Sequence, residues 1–256
     1  MQNLAERVAI VTGASSGIGR ATAELLAARG AAVVLAARRV DDIAALADVI
    51  RSAGGIASHI GTDITEGDQV ARMVAHAVET HGRLDIAVNN AGYEGEWMPI
   101  VDMPDETWDA VLNVNLRGNF LCIKHEARAM LKAGNGGSIV NVGSVNSFLG
   151  CAAVAHYCAS KHGQIGLTSS TSAELAPQGI RVNLICPGFV DTPMHHRGRA
   201  MFGDEIYDGL LSQSVHLGRA GTPAELAKSI AFLCSDEASY VTGTTLTPDG
   251  GYTLTI

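Results

Sequence analysis

The stretch RVAIVTGASSGIGRATAELLAARG, residues 7–30, decides the fold because it joins a strand, a glycine-rich turn and a helix. RVAIVT is a short apolar run typical of a buried strand, and RATAELLAARG has a helical pattern. Between them, Gly13 permits a tight turn, Gly17 lets backbone amides approach an anion, and Gly19 lets the helix pack near the sheet. The free N–H groups at the start of that helix suit a pyrophosphate, so the stretch predicts a phosphate-binding turn.

The same alternation of strand and helix patterns continues to the end of the chain. Strands are predicted at RVAIVT (7–12), AAVVLA (31–36), IASHI (56–60), LDIAVN (84–89), GSIVNV (137–142), IRVNLI (180–185) and TTLTP (244–248), and helices at about 17–29, 41–53, 66–81, 105–133, 156–176 and 222–235. Strands that are apolar on both faces and separated by helices indicate an α/β fold with a doubly wound parallel sheet. We expect about seven strands with helices on both faces, in one domain spanning 1–256.

One long stretch, 187–218, has no clear pattern and is rich in glycine. Long loops inside a compact domain are usually lids or binding elements. We therefore expect residues 187–218 to cover a substrate.

Composition narrows the class of partner. The 256 residues are 47% hydrophobic and 17% charged, and the net charge of -8 without a long basic run disfavours nucleic acid. No segment approaches the roughly 18 consecutive apolar residues of a membrane-spanning helix, and the start MQNLAERVAI is charged where a secretion signal would be apolar. Five cysteines without a CxxC pair indicate reduced thiols. We expect a cytoplasmic protein that binds a small molecule, with no membrane and no nucleic-acid partner.

Further motifs follow in a fixed order along the chain. They are NNAG at 89–92, Asn115 in NVN, Ser144 in NVGS, Tyr157 and Lys161 in YCASK, and the Pro187–Gly188 pair. With the Gly-x3-Gly-x-Gly turn, this order resembles the short-chain dehydrogenase/reductase family, in its subgroup with TGxxxGxG and YxxxK motifs. The resemblance covers essentially the whole chain, down to SYVTGTTLTPDGG. It implies a Rossmann-like fold, hydride transfer between a nicotinamide cofactor and a carbonyl or alcohol, and a homotetramer.

The YCASK stretch carries the proposed acid-base chemistry. Hydride reduction of a ketone requires a proton donor at its oxygen, and a tyrosine with an unperturbed pKa of about 10 needs help to lose its proton at neutral pH. An ammonium four residues away, on the same helical face, stabilises the phenolate and lowers that pKa, so Tyr157 and Lys161 form a candidate pair. The alternative is a solvent-facing pair with no chemical role.

The resemblance adds Ser144 and Asn115 to the catalytic set. It implies that Ser144 holds the substrate oxygen beside Tyr157, that Lys161 also binds the nicotinamide ribose, and that Asn115 sustains a water chain that relays protons from Lys161. The simpler alternatives are a turn residue for Ser144 and a backbone-satisfying side chain for Asn115. The predicted substrate contacts are Ser144, Asn146 and Tyr157.

The resemblance also implies a set of cofactor contacts along the carboxyl ends of the strands. These are Gly13, Ser15, Ser16, Gly17, Ile18, Gly19, Arg38, Asp63, Ile64, Asn90, Ala91, Gly92, Tyr157, Lys161, Pro187, Gly188, Val190 and Thr192. Asp63 could instead cap the helix that follows it.

The end of the second strand favours NADP(H). An enzyme that prefers NAD usually places an acid there for the ribose 2′-OH, whereas Ala37 stands at this position and Arg38 follows it, where a guanidinium can bind a 2′-phosphate. NAD(H) stays open because Ser16 replaces a second basic residue common in NADP-dependent relatives. Arg38 and Arg39 could also simply begin a solvated helix.

The predicted substrate pocket mixes aromatic, sulfur and apolar side chains. Its candidate walls are Glu94, Glu96, Trp97, residues 151–156, Met194, Met201, Phe202 and Tyr207, which favours a neutral, partly hydrophobic ketone or secondary alcohol. His195 and His196 lack a third ligand at a convincing spacing, so no metal is expected. Two alternatives remain, namely an NAD(H)-dependent secondary-alcohol dehydrogenase and a dinucleotide-sensing protein that performs no turnover.

Overall fold

Seven parallel strands form one sheet in the structure, a computed structural model that describes residues 4–255. The strands are β1 (Val8–Thr12), β2 (Ala32–Ala37), β3 (Ile56–Gly61), β4 (Ile86–Asn89), β5 (Gly137–Val142), β6 (Ile180–Ile185) and β7 (Thr245–Leu246). All seven predicted strands are present; β5 and β6 have the predicted ends, and the ends of the other strands differ by at most two residues.

The helices lie between and after these strands. They are α1 (Gly17–Ala28), α2 (Val40–Ser52), α3 (Gly67–His81), α4 (Asp105–Leu112), α5 (Asn119–Ala133), α6 (Ala155–Leu175), α7 (Pro193–Phe202), α8 (Asp204–Ser214) and α9 (Pro223–Cys234). Among the described residues, none of these helices is both long enough and apolar enough to cross a membrane.

The strand order β3-β2-β1-β4-β5-β6-β7 reverses direction at β1. In this central strand Val11 pairs with Leu35 of β2 on one side and with Val88 of β4 on the other. The crossover after β1 runs toward β2 and the crossover after β4 runs toward β5, at opposite edges of the sheet, so a crevice opens beyond the carboxyl ends of β1 and β4. The glycine-rich turn and NNAG follow these two strands.

Both faces of the sheet are covered, as the apolar strands predict. Val11 packs on one face with Leu26 of α1 and Ile230 of α9, whereas Ile10 packs on the other face with Met73 of α3. Neighbouring residues of a strand point to opposite faces, so a strand buried on both sides must be apolar throughout. The doubly wound α/β prediction is confirmed.

The predicted helix over 105–133 is interrupted. Residues 113–118 form a π-helical stretch between α4 and α5. This wider turn contains Asn115, which is 1% exposed. π-Helical turns occur often at functional sites because they redirect side chains and backbone groups inside a helix.

Residues 187–218 are more regular than the sequence suggested. Thr192 caps α7 by accepting a hydrogen bond from the amide of His195 at 3.3 Å, and Pro193 occupies the first helical position. Gly203, with φ of 83°, separates α7 from α8. The expectation of an irregular segment was wrong. The capping residues indicate helices here, but the segment is polar and lacks the strong hydrophobic pattern from which helices are usually predicted.

A buried polar cluster links two central strands to two helices. Asn89 Nδ2 donates to Glu126 Oε2 at 3.0 Å and to Asn141 Oδ1 at 3.1 Å, and Asn141 Nδ2 donates to Thr168 Oγ1 at 2.9 Å. Glu126 is fully buried, and its Oε1 has no hydrogen-bond partner among the described residues. Burial raises the pKa of Glu126 to about 7, although the hydrogen bond from Asn89 opposes that rise.

This raised pKa predicts a pH-dependent stability. The folded protein binds the Glu126 proton more tightly than the unfolded chain, so the stabilisation is complete below pH 4.5 and is lost as the pH rises to about 7. The loss in the free energy of unfolding is on the order of 3 kcal/mol. In Glu126→Gln this part of the pH dependence should disappear, as measured by urea denaturation at several pH values.

The control is Glu79→Gln, which changes an exposed glutamate on α3. Its stability profile should follow that of the unmodified protein. An unchanged profile in Glu126→Gln would show that Glu126 is already ionised in the folded state.

Candidate active site

The glycine-rich turn forms a cradle with little room for side chains. Gly13 has φ of 65°, and a Cβ there would lie 2.8 Å from Asn90 Nδ2. Ser16 begins α1 without a side-chain cap, and no acidic residue lies in the first turn. The amides at this helix start are therefore free of a capping side chain, which fits the pyrophosphate of a dinucleotide.

The NNAG segment holds this cradle in place. Asn90 Nδ2 donates to the main-chain oxygens of Thr12 at 3.0 Å and of Gly13 at 3.3 Å. In return, Thr12 Oγ1 accepts hydrogen bonds from the amides of Asn90 at 3.0 Å and Ala91 at 3.1 Å. The ends of β1 and β4 are thus clamped together, and the side chain of Asn90 serves the turn directly.

Arg39, not Arg38, reaches the glycine-rich turn. Its Nη2 donates to Ser15 Oγ at 2.9 Å and to Ser16 Oγ at 3.1 Å, while its Nε donates to Asp42 at 2.6 Å. These residues line a cleft at the end of β2. Arg38 is exposed. The guanidinium of Arg39 is therefore the nearer candidate for a phosphate. Sequence pattern alone could not distinguish between two adjacent arginines.

Asp63 forms a local turn. Its Oδ1 accepts hydrogen bonds from the amide and the hydroxyl of Thr65, at 3.0 and 2.8 Å. Ile64 beside it is buried. Asp63 does not cap the next helix, because the N-cap of α3 is Glu66 and it has no side-chain capping hydrogen bond. The contact of Asp63 with a cofactor stays a prediction.

Ser144, Tyr157 and Lys161 come together at the end of β5. The Ser144 hydroxyl lies beside the Tyr157 phenol and lowers its pKa, and the Nζ of Lys161 lies 5.5 Å from the centroid of the Tyr157 ring. Lys161 Nζ also donates to the main-chain oxygen of Val142 at 2.8 Å. Lys161 is 4% exposed, so the Tyr157–Lys161 pair is not a solvent-facing one.

The pKa of Tyr157 differs from the expectation. Burial raises the pKa of Tyr157 well above its ordinary value. Two smaller influences act on it as well: the Ser144 hydroxyl lowers this pKa, and the negative charge of Glu94 raises it. Burial also lowers the pKa of Lys161 to about 8. The direction of the Tyr157 pKa shift in the protein alone is therefore opposite to the expected lowering, because burial of the phenol is its largest cause.

Asn115 is fixed by its neighbours on three sides. Its Oδ1 accepts from the amide of Tyr93 at 2.8 Å, and its Nδ2 donates to the carbonyl of Tyr93 at 2.8 Å and to Ser160 Oγ at 3.0 Å. Its main-chain oxygen accepts from Gln164 Nε2 at 2.8 Å. A Cβ on Gly92 would lie 3.5 Å from Asn115 Oδ1 and 3.9 Å from Lys161 Nζ, so these groups border one space.

The segment after β6 closes over the cradle. A Cβ on Gly17 would lie 3.2 Å from the methyl group of Thr192, and Thr192 Oγ1 donates to the carbonyl of Val190 at 3.1 Å. The carbonyl of Pro187 accepts from the amide of Val145 at 3.0 Å, and Gly188 packs closely against Asp249. The predicted residues of this segment therefore lie beside both the glycine-rich turn and the end of β5.

Side chains of the predicted lid form an aromatic cluster. Phe189 makes edge contacts with Tyr207 and Tyr252, at centroid distances of 5.9 and 5.2 Å, and the hydroxyl of Tyr207 is 3.0 Å from His195 Nδ1. Asp191 pairs with His196 at 2.6 Å. Within residues 4–255, no cluster of three or more potential metal ligands occurs.

The other predicted pocket residues differ in how far they are buried. Asn146 Nδ2 contacts Cys158 Sγ at 3.3 Å, and Cys151 is exposed. Glu94 is half-buried, and burial raises its pKa although Trp97 donates a hydrogen bond to it. His156 is 0% exposed and packs beneath Gly95, so it was wrongly assigned to the pocket wall. The side chain of Phe202 lies outside the described part of the chain.

Comparison with known proteins agrees with this geometry over nearly the whole chain. A family model described as enoyl-(acyl carrier protein) reductase, adh_short_C2, matches residues 13–253. The chain belongs to the short-chain dehydrogenase/reductase family. The family consists of oxidoreductases, and the sequence resemblance is confirmed.

Several members of the short-chain dehydrogenase/reductase family are similar over their full length. An A-factor type gamma-butyrolactone 1'-reductase of Streptomyces virginiae is 41% identical over 98% of this chain and 97% of its own. A cis-4-hydroxycyclohexanecarboxylate dehydrogenase of Sinomonas cyclohexanicum is 43% identical over 97% of both. A crystal structure of a variant actinorhodin polyketide ketoreductase with NADPH has a TM-score of 0.91 at 36% identity, covering 96% and 97% of the two chains.

The clamp at Thr12 yields a test of this short-chain dehydrogenase/reductase cradle. Thr12→Val keeps the side-chain shape but leaves two amides without an acceptor, and Thr12 is 1% exposed. We expect a loss of about 1–3 kcal/mol in the free energy of unfolding and weaker dinucleotide binding. Denaturation and cofactor fluorescence titration measure the two effects. Thr12→Ser, which keeps the hydroxyl, is the matched control, and equal behaviour of both variants would contradict the clamp.

Proposed function

We propose that the protein transfers hydride between NADP(H) and a neutral, partly hydrophobic ketone or secondary alcohol, with Tyr157 as the general acid and base. The observation that carries the proposal is the buried Lys161 ammonium 5.5 Å from the centroid of the Tyr157 ring, with the Ser144 hydroxyl beside the same phenol. A dinucleotide bound in the cradle supplies or accepts the hydride. Tyr157 supplies the proton to the ketone oxygen, or removes it from the alcohol.

The charge states of the site support a proton-donating tyrosine. Burial keeps the phenol of Tyr157 neutral, so its proton is available to a ketone oxygen that becomes basic as the hydride adds. Ser144, as a second hydroxyl beside Tyr157, can hold the same oxygen. The ammonium of Lys161 stabilises the tyrosinate that remains after proton transfer.

Surroundings of the site favour a neutral substrate. Glu94 is half-buried, and its negative charge acts on both Tyr157 and Tyr207. An anionic group placed between them would be repelled by this carboxylate in a medium of low dielectric constant. Phe189 and Tyr252 offer apolar ring surface. The relatives are named as acting on a gamma-butyrolactone and on a hydroxycyclohexanecarboxylate, so cyclic ketones and alcohols are the first substrates to assay, with a carboxylate-bearing compound beside the neutral ones.

The wider proposal treats residues 1–256 as one catalytic domain with residues 187–218 as its lid. The aromatic contacts of Tyr207 with Phe189 support that role of the lid.

We also propose a homotetramer in the cytoplasm. Phe120 and Leu131 of α5 are 46% and 45% exposed and would be covered by helix packing between subunits, and all five cysteines are free, which suits a reducing compartment.

Turnover with cyclic ketones and secondary alcohols tests the chemistry directly. The reduced nicotinamide absorbance should change with the unmodified protein, and Tyr157→Phe should lower kcat/KM by about 10²- to 10⁴-fold because the proton donor is lost. Cofactor affinity in that variant should stay within a few-fold.

The control is Tyr240→Phe, at a fully exposed tyrosine. Full activity of Tyr157→Phe would contradict the proposed acid. Tight cofactor binding without any turnover by the unmodified protein would instead favour the dinucleotide-sensing alternative.

Paired arginine variants test the cofactor preference. Because Arg39 contacts the serines of the turn, Arg39→Ala should weaken NADPH binding by about tenfold or more and NADH binding little. Arg38→Ala, at the position that the resemblance implies, should have a smaller effect on NADPH. Titration of each protein with both reduced cofactors gives the four affinities. Tighter binding of NADH than NADPH by the unmodified protein would favour the NAD(H)-dependent alternative.

A further inference from the structure

The side chain of Gln164 connects two of the predicted catalytic residues. It lies on α6 one turn after Lys161 and is 1% exposed. Its Nε2 donates to the main-chain oxygen of Asn115 at 2.8 Å, and its Oε1 accepts from Lys161 Nζ at 3.4 Å. Both polar ends of this buried amide are therefore committed to the site, although neither the motifs nor the proposed reaction assigns it a role.

We propose that Gln164 is a positioning residue, whose amide holds the Lys161 ammonium and fills the space between it and the Asn115 carbonyl. The inference rests on the proposed function of Lys161 beside Tyr157. It changes one expectation drawn from the resemblance, in which water at Asn115 relays protons from Lys161.

The chemistry of an amide explains this difference. A water molecule between an ammonium and a carbonyl accepts one proton while it donates another. The oxygen of Gln164 only accepts and its nitrogen only donates, and neither atom changes protonation near neutral pH. Protons therefore do not leave Lys161 through this residue. The Lys161 ammonium also borders Gly92, where a Cβ would lie 3.9 Å from its Nζ.

Gln164 also affects how easily Lys161 stays charged. The Lys161 ammonium donates to two acceptors, the carbonyl of Val142 on β5 and the amide oxygen of Gln164. The titratable groups that face it are Tyr157 on the same helix and Cys186 after β6, and burial raises the pKa of both. Both groups are therefore neutral near pH 7, and the stabilisation of the ammonium depends on these two carbonyl oxygens.

Two variants of similar length should move the titration of Lys161 in opposite directions. Gln164→Glu places a carboxylate beside the ammonium, so the alkaline limb of kcat/KM for alcohol oxidation should move up by about one pH unit. Gln164→Met removes an acceptor, so the same limb should move down. The affinity for the reduced cofactor, measured from pH 6 to 11, should show the same opposite shifts because Lys161 is predicted to bind its ribose.

The outcomes separate this inference from the proposed function. A protein that binds the cofactor but turns over no ketone or alcohol refutes the proposed function, and the affinity profile then still tests Gln164. Shifts of opposite sign in the two variants support the positioning role. Shifts in the same direction, or a lower melting temperature with unmoved limbs in both variants, would show that Gln164 only fills space.

Discussion

The desolvation of one ammonium group constrains the arrangement around the proposed active site. Lys161 is almost completely buried, and a buried cation is stable only where carbonyl oxygens replace water. The carbonyl of Val142 is available because β5 ends there, at its last pairing with Ile185 of β6. The end of a parallel strand thus supplies the acceptor, and α6 must pack at a fixed height against that end to reach it.

This constraint also sets the chemistry that the site can perform. Removing water raises the pKa of Tyr157 and lowers that of Lys161, so burial alone drives the pair toward two neutral groups. Proton donation to a ketone uses the neutral phenol as it stands. Removal of a proton from an alcohol needs further stabilisation of the phenolate, and the hydrogen bond from Ser144 lowers the Tyr157 pKa in that direction. Under the proposed mechanism, the neutral phenol favours reduction over oxidation.

The sequence was sufficient for features that depend on the backbone and on local pattern. The strands are uniformly apolar because both faces are buried, and the glycines of the turn are required where a Cβ would meet Asn90. The sequence was insufficient where the question is which of several neighbours a side chain contacts. Whether Arg38 or Arg39 reaches the turn depends on the direction of each side chain at the start of α2. The role of Gln164 depends on a π-helical stretch that no local sequence pattern predicted.

Residues held by the sheet and residues on the connections outside it differ in how freely they can change, which explains how one fold could act on different compounds. The glycine-rich turn and the Tyr157–Lys161 pair are held by strand ends and helices of the sheet, which cannot move without disturbing the core. Glu94, Phe189 and Tyr207 lie on connections outside the sheet, where substitutions change the pocket without disturbing strand pairing. The relatives share nearly the full length of the chain yet carry names with different substrates. Under the proposed function, the identity of the substrate would depend on the side chains of these connections, whereas the reaction type would depend on the buried lysine and its acceptors.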